Sequence, residues 1–214
     1  MAEINEKEKK IIIKVVYYGP ALSGKTTNLM RLHDIVNPSG RGELMTFETT
    51  GDRTLFFDLL PLLTHSESGF RIKIKLFTVP GQVAHDATRK AVLSRADAVV
   101  FVADSQLHQS MSNFESFSNL EKNAGRVGLD FDNLPLVIQF NKRDLKNITS
   151  EKEVLDRWRP TELPIKFSSA IFGKGVRETF NAALDQTYLS LDRSHQLNEK
   201  FRVTRENFLE VISV

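Results

Sequence analysis

Gly19-Pro20-Ala21-Leu22-Ser23-Gly24-Lys25-Thr26 has the G-x-x-x-x-G-K-[ST] spacing of a phosphate-binding loop. The chemistry of such a loop is anion capture. Glycines at 19 and 24 let backbone N–H groups turn inward around phosphate oxygens, and a helix starting directly after the loop adds partial positive charge. Lys25 would bring an ammonium to β- and γ-phosphates, and Thr26 would offer a hydroxyl to Mg²⁺. The ligand-binding candidates here are Gly19, Ala21, Ser23, Gly24, Lys25, Thr26 and Thr27.

Two further clusters read as chemistry in the same order along the chain. Asn141-Lys142-Arg143-Asp144 has the N-K-x-D pattern directly after an apolar strand. Asp144 can accept hydrogen bonds from the N1–H and exocyclic amine of guanine. Adenine lacks that donor pair, and the unpaired carboxylate discriminates by roughly 10⁴. Asn141 can tie this segment to the phosphate loop, and the Lys142 stem can lie over the base plane. Ser168-Ser169-Ala170 also follows a strand and fits a second base-contact loop, with Ser169 and the Ala170 N–H as candidates. Thr78-Val79-Pro80-Gly81-Gln82 stands where a nucleotide switch carries D-x-x-G-Q. The Gly81 N–H would bond the γ-phosphate, and Gln82 would orient the attacking water. Thr78 replaces the usual Asp, so the carboxylate that helps hold the Mg²⁺ waters is missing. Between them, Thr46 to Thr54 reads as a mobile loop with a second Mg²⁺ hydroxyl. Spacing does not choose among Thr49, Thr50 and Thr54, and Arg53 reads either as a charge stabiliser for the transferring phosphoryl group or as a solvated loop arginine.

The elements that must position these clusters alternate strand and helix. Ile11 to Tyr18 reads as a buried strand, and the segment through about Val36 as a helix. Phe70 to Val79 alternates apolar residues with Arg71, Lys73 and Lys75, which predicts a half-exposed strand near a sheet edge. His85 to Ala96 is a helix candidate. Ala98 to Asp104 and Leu136 to Phe140 are continuous apolar runs, as expected of strands covered on both faces. Helices are expected over Ser112 to Val127, Ser150 to Trp158 and Val176 to Leu191, with a short strand at Ile165 to Phe167. The fold class is α/β: a P-loop nucleotide-binding architecture with a mostly parallel central sheet flanked by helices. Residues 1–10 are expected to be a frayed polar leader, 11–191 a single nucleotide-binding domain, and 192–214 a C-terminal extension that either docks as a helix or hangs as a tail.

Composition narrows the alternatives. The net charge of +2 is too small to argue for nucleic acid as a main partner. With no cysteine, disulfides and thiol lipidation are excluded. No apolar run suits a bilayer span and the start is charged, so cytoplasm is the expected location. The five histidines have no metal-ligand spacing.

G-P-A-L-S-G-K-T-T-N-L, T-G-D-R-T-L-F-F-D, T-V-P-G-Q-V and N-K-R-D together resemble the MglA family of bacterial Ras-like GTPases, over about Ile11 to Leu191. The Thr78 replacement is a trait of that family. The resemblance implies a GTP/GDP and Mg²⁺ switch with slow intrinsic hydrolysis, acting in gliding motility and cell polarity. It implies Arg53 as an intrinsic arginine finger, Thr54 as the second Mg²⁺ ligand and Gln82 as the water-positioning residue. It further implies a Roadblock-domain activator resembling MglB, a sliding second strand, and enrichment of the GTP form at a cell pole. A response regulator or another adaptor is an alternative partner. The rival readings are a nucleotide-loaded scaffold with little hydrolysis and a metabolic P-loop kinase; the N-K-R-D segment argues against the second.

Overall fold

The computed structural model describes residues 2–48, 56–80 and 86–210. Its core is an eight-stranded sheet. The strands are β1 (Glu3–Asn5), β2 (Lys10–Tyr18), β3 (Met45–Glu48), β4 (Phe56–His65), β5 (Arg71–Thr78), β6 (Ala98–Asp104), β7 (Leu136–Asn141) and β8 (Ile165–Phe167). They lie in the order β3-β4-β5-β2-β6-β7-β8, with β1 added against β2. β5, β2, β6, β7 and β8 run parallel. β3 and β4 add antiparallel at one end, and β1 is antiparallel to β2.

Parallel strands flanked by helices are buried on both faces. Every residue of β6 and β7 is buried. Side-chain alternation then sorts the strands into two cores. Ile13, Val15 and Tyr17 of β2 face α1 (Lys25–Ile35) and α5 (Val176–His195). Val16 and Tyr18 face α2 (Asp86–Leu93), α3 (Ser110–Arg126) and α4 (Glu151–Trp158). α4 begins at a capping box, in which the Ser150 hydroxyl accepts from the Glu153 N–H and the Glu153 carboxylate accepts from the Ser150 N–H.

Three expectations change. Glu3–Asn5, expected to fray, pairs with Lys10–Ile12 as β1, and Ala2 and Ile4 pack on the first core. β5 is half-exposed as its alternation predicts, but it is interior, between β4 and β2. Its basic row is part-exposed although the strand is interior, so that exposure does not mark an edge. Part of the segment expected as mobile loop, Thr46–Glu48, belongs to strand β3.

The C-terminal segment docks. α5 continues past Leu191 to His195, and α6 (Leu197–Phe201) and α7 (Arg205–Leu209) fold back on it. Leu197, Val203 and Phe208 are fully buried in the first core. The Phe208 ring meets Tyr188 edge-on at 5.3 Å, and the Tyr188 hydroxyl donates to the Val203 carbonyl at 3.3 Å. Phe208→Ala should therefore cost about 3–4 kcal/mol of folding stability. Urea unfolding of the variant beside the parent measures it; a loss under about 1 kcal/mol would mean the segment is not integral to the core.

Candidate functional site

The loops that hold the sequence candidates converge at the carboxyl ends of β2, β7 and β8, the place where open parallel sheets bind ligands. Between β2 and α1 the phosphate loop makes its turn with Gly19 at φ 145° and Gly24 at φ 102°. Both positions are also closely approached. A Cβ on Gly19 would lie 2.2 Å from the Val102 carbonyl oxygen, and one on Gly24 would lie 2.2 Å from Asn141 Nδ2. Only glycine satisfies both conditions.

α1 starts at Lys25 with no acidic residue in its first turn, so its positive end is not neutralised locally. The Lys25 ammonium folds back over the loop, donating to the carbonyls of Gly19 at 3.0 Å and Pro20 at 2.6 Å. Thr26 is exposed at the start of the helix, while Ser23 is buried. Leu22 stands 88% exposed at φ 60°, an apolar side chain held in a left-handed conformation on the loop's outer face.

Asn141 does what its position predicts. Its Nδ2 donates to the Ser23 carbonyl at 2.8 Å. Its Oδ1 accepts from the Ser168 hydroxyl at 3.0 Å and from the Ala170 N–H at 2.9 Å. One buried amide thus joins the phosphate loop to the Ser168–Ala170 loop. The Ala170 N–H, expected to meet a base carbonyl, is used here to orient Asn141. Lys142 has φ 67°, and its ammonium donates to buried Asp104 at 2.6 Å, laying its stem across the end of β6. Arg143 donates to the Thr149 carbonyl at 2.7 Å and stacks on the Phe167 ring at 5.1 Å; burial draws its pKa below the usual arginine value. Asp144 is exposed, open to a ligand arriving from solvent.

Thr78 is buried at the end of β5, in register with Tyr17. The remaining candidates, Arg53, Thr54, Gly81 and Gln82, lie outside the described residues, as do Thr49 and Thr50.

Sequence reasoning missed a polar cluster beside the site. The Tyr18 hydroxyl, one residue before Gly19, donates to Asn119 Oδ1 at 2.5 Å. Asn119 and Asn123 of α3 donate to Asp86 Oδ1 at 3.1 and 2.7 Å, and Arg126 reaches Asp86 Oδ2 at 3.3 Å. The Asn123 bond foremost, then the Asn119 bond, holds the Asp86 carboxyl below the usual carboxylate range, while burial pushes the Tyr18 phenol up. The start of α2 is thereby pinned to α3 and to the strand that feeds the phosphate loop. The available signal was Asn119 and Asn123 at i, i+4 beside Leu120 and Ala124, polar residues on the inward side of a helix.

The residues fit a nucleotide with a bound Mg²⁺. Gly19 and Gly24 hold the loop in a turn that side-chain-bearing residues resist, the backbone geometry a phosphate cradle uses, and Thr26 is exposed at the start of α1. Among the described residues no group of three or more His, Cys, Asp or Glu side chains could hold a metal. Among the described residues no helix is long and apolar enough to cross a membrane.

No protein-family profile matches the chain. It is 43% identical over 182 residues to the mutual gliding-motility protein MglA of Myxococcus xanthus strain DK1622, an alignment spanning 85% of this chain and 93% of that relative. Identity at that level and span, with this mostly parallel sheet and these converging loops, leaves one conclusion: the chain belongs to the MglA family of small GTPases.

Proposed function

We propose that this protein is a Mg²⁺-dependent GTP switch that hydrolyses its nucleotide slowly and signals through partners that distinguish the GTP and GDP forms. The observation carrying this reading is Asn141, whose single side chain holds the phosphate loop and the Ser168–Ala170 loop together. A site built that way rewards a ligand with phosphates at one end and a base at the other. Asp144 would read the guanine edge, and the Lys142 stem, fixed by Asp104, would cover the ring.

Hydrolysis asks the chain to hold the phosphates, orient a water and meet developing charge. The Gly19–Thr27 backbone cradles the phosphates. Lys25 exchanges the Gly19 and Pro20 carbonyls for β- and γ-oxygens. Thr26 and Thr54 would hold Mg²⁺, which would supply positive charge against the negative charge of the phosphates. Gln82 would orient the water, Gly81 would sense the γ-phosphate, and Arg53 would meet the charge that develops in transfer. A neutral Thr78 gives the metal waters no carboxylate, which fits a slow basal rate and a need for an activator.

The relative's name carries gliding motility, and we assign this chain to motility or polarity control of that kind. A Roadblock-type activator aligning Arg53 and Gln82 is the partner this mechanism calls for, with response-regulator-type adaptors as candidate readers. The expected location is cytoplasmic, with the GTP form enriched at a cell pole. Gln82→Ala should bind GTP with parental affinity and hydrolyse it at least about tenfold more slowly in a single turnover. If the variant and the parent release phosphate equally, Gln82 has no part in the reaction and the scaffold reading gains.

A further inference from the structure

Beside the tie made by Asn141 runs a second connection between the same two loops, with its middle bonds buried. Asn28 of α1 donates through Nδ2 to the Gly24 carbonyl at 2.9 Å. Its Oδ1 accepts from Gln139 Nε2 of β7 at 2.9 Å. The same Gln139 nitrogen donates to Thr179 Oγ1 of α5 at 2.9 Å, and that hydroxyl donates to the Gly175 carbonyl at 2.6 Å. Asn28, Gln139 and Thr179 are each 0% exposed.

The two ends of this line are the two sides of the site. Gly24 closes the phosphate loop. Gly175 ends the segment after Ala170, and Ser169 donates its N–H to the neighbouring Lys174 carbonyl at 3.0 Å. A Cβ on Gly175 would lie 2.1 Å from the Phe167 carbonyl oxygen, so Gly175 sits hard against the end of β8.

Stability alone does not explain a glutamine here. Position 139 lies in a strand whose other residues are mostly apolar, and Val137, two residues earlier on the same face, packs in the first core. Gln139 Oε1 is buried with no hydrogen-bond partner among the described residues. An orphaned buried carbonyl is destabilising, and an aliphatic pair in place of Gln139 and Asn28 would avoid that.

We propose that Asn28, Gln139 and Thr179 are positioning residues that hold the phosphate loop and the base-side loop at a fixed separation, so that bound guanine nucleotide leaves slowly. They act through Gly24 and Gly175. The inference rests on the guanine-nucleotide reading above. The test compares GDP dissociation, followed with a fluorescent GDP analogue, against thermal stability of the nucleotide-free protein. In Asn28→Leu/Gln139→Leu the melting temperature should hold or rise while GDP leaves about tenfold faster. Thr179→Val should release GDP about threefold faster, and Thr179→Ser should restore the parental rate. A merely structural role predicts the reverse: a lower melting temperature and unchanged dissociation. Parental GDP release from a folded double variant overturns the inference. Should the double variant not fold, parental release from Thr179→Val overturns it and faster release supports it. A parent protein that retains no labelled GDP overturns the nucleotide reading itself, which separates the two failures.

Discussion

Gly19→Ala should reduce affinity for GTP and GDP by about a thousandfold while the sheet still folds. Two effects combine. At φ 145° an L-residue is strained by about 1–3 kcal/mol. The added Cβ also lands 2.2 Å from the Val102 carbonyl oxygen. Val102 belongs to β6, in mid-sheet and buried on both faces, so that oxygen has nowhere to move. The phosphate loop must move instead, and its N–H groups leave the positions that phosphate oxygens require. Together these amount to about 4 kcal/mol, the equivalent of that thousandfold. Titration with fluorescent GDP measures it, with circular dichroism reporting the fold. Gly128→Ala is the control: its φ is 73°, but a Cβ there meets nothing within 4 Å. That variant should lose about 1 kcal/mol of stability and no nucleotide affinity. Affinity of Gly19→Ala within about threefold of the parent would show that the loop does not use this geometry.

Asp144→Asn should collapse the preference for GTP over ATP, from roughly 10⁴ toward parity. The carboxylate offers two acceptor oxygens to the two donors on the guanine edge. An amide keeps one acceptor and turns a donor toward the base, so one hydrogen bond is lost and one contact becomes repulsive. Asp144 is exposed, so the fold should not register the change beyond about 0.5 kcal/mol. Competition of GTP and ATP for bound fluorescent GDP reads the selectivity directly. If the variant still prefers GTP by a thousandfold or more, the base is read elsewhere in the site.

Much of this architecture was legible in residue types alone, and the failures have physical causes. β6 and β7 announced themselves as unbroken apolar runs because both faces are covered. β4 did not. Its inward residues Leu60, Leu62 and Thr64 alternate with Leu59, Pro61 and Leu63, so apolar side chains fill both phases and the period of two disappears. Pro61 compounds this, since proline argues against a strand with neighbours on both sides. Its carbonyl accepts from the Gly42 N–H, so its missing donor falls on the outer flank and leaves the ladder with β5 intact. The basic row of β5 suggested an edge for a related reason: exposure of one face looks the same in sequence whether the strand is outermost or merely uncovered.

The site divides similarly. The glycines, Lys25 and the Asn141 tie follow from spacing, because their chemistry is local or is carried by one motif. The Tyr18–Asn119–Asn123–Asp86 cluster and the Asn28–Gln139–Thr179 line do not, since each joins residues far apart in sequence and only the strand order brings them together. Ala170 shows the opposite lesson. Its N–H, read from the motif as a base contact, serves Asn141 here, a competition that spacing cannot express.

The placement of β1 and of α6 has a practical corollary. Ala2, Ile4 and Glu6 line a shared cavity of about 350 Å³ with Ser194, His195, Lys200 and Phe201. β1 pairs with Lys10–Ile12, the amino end of β2, whereas the phosphate loop leaves its carboxyl end. β1 and α6 thus meet at the pole of the sheet opposite the nucleotide loops. A chain anchored to a sensor surface through β1 would present Leu22, Asp144 and the rest of the ligand face outward, ready for partner measurements without the anchor in the way.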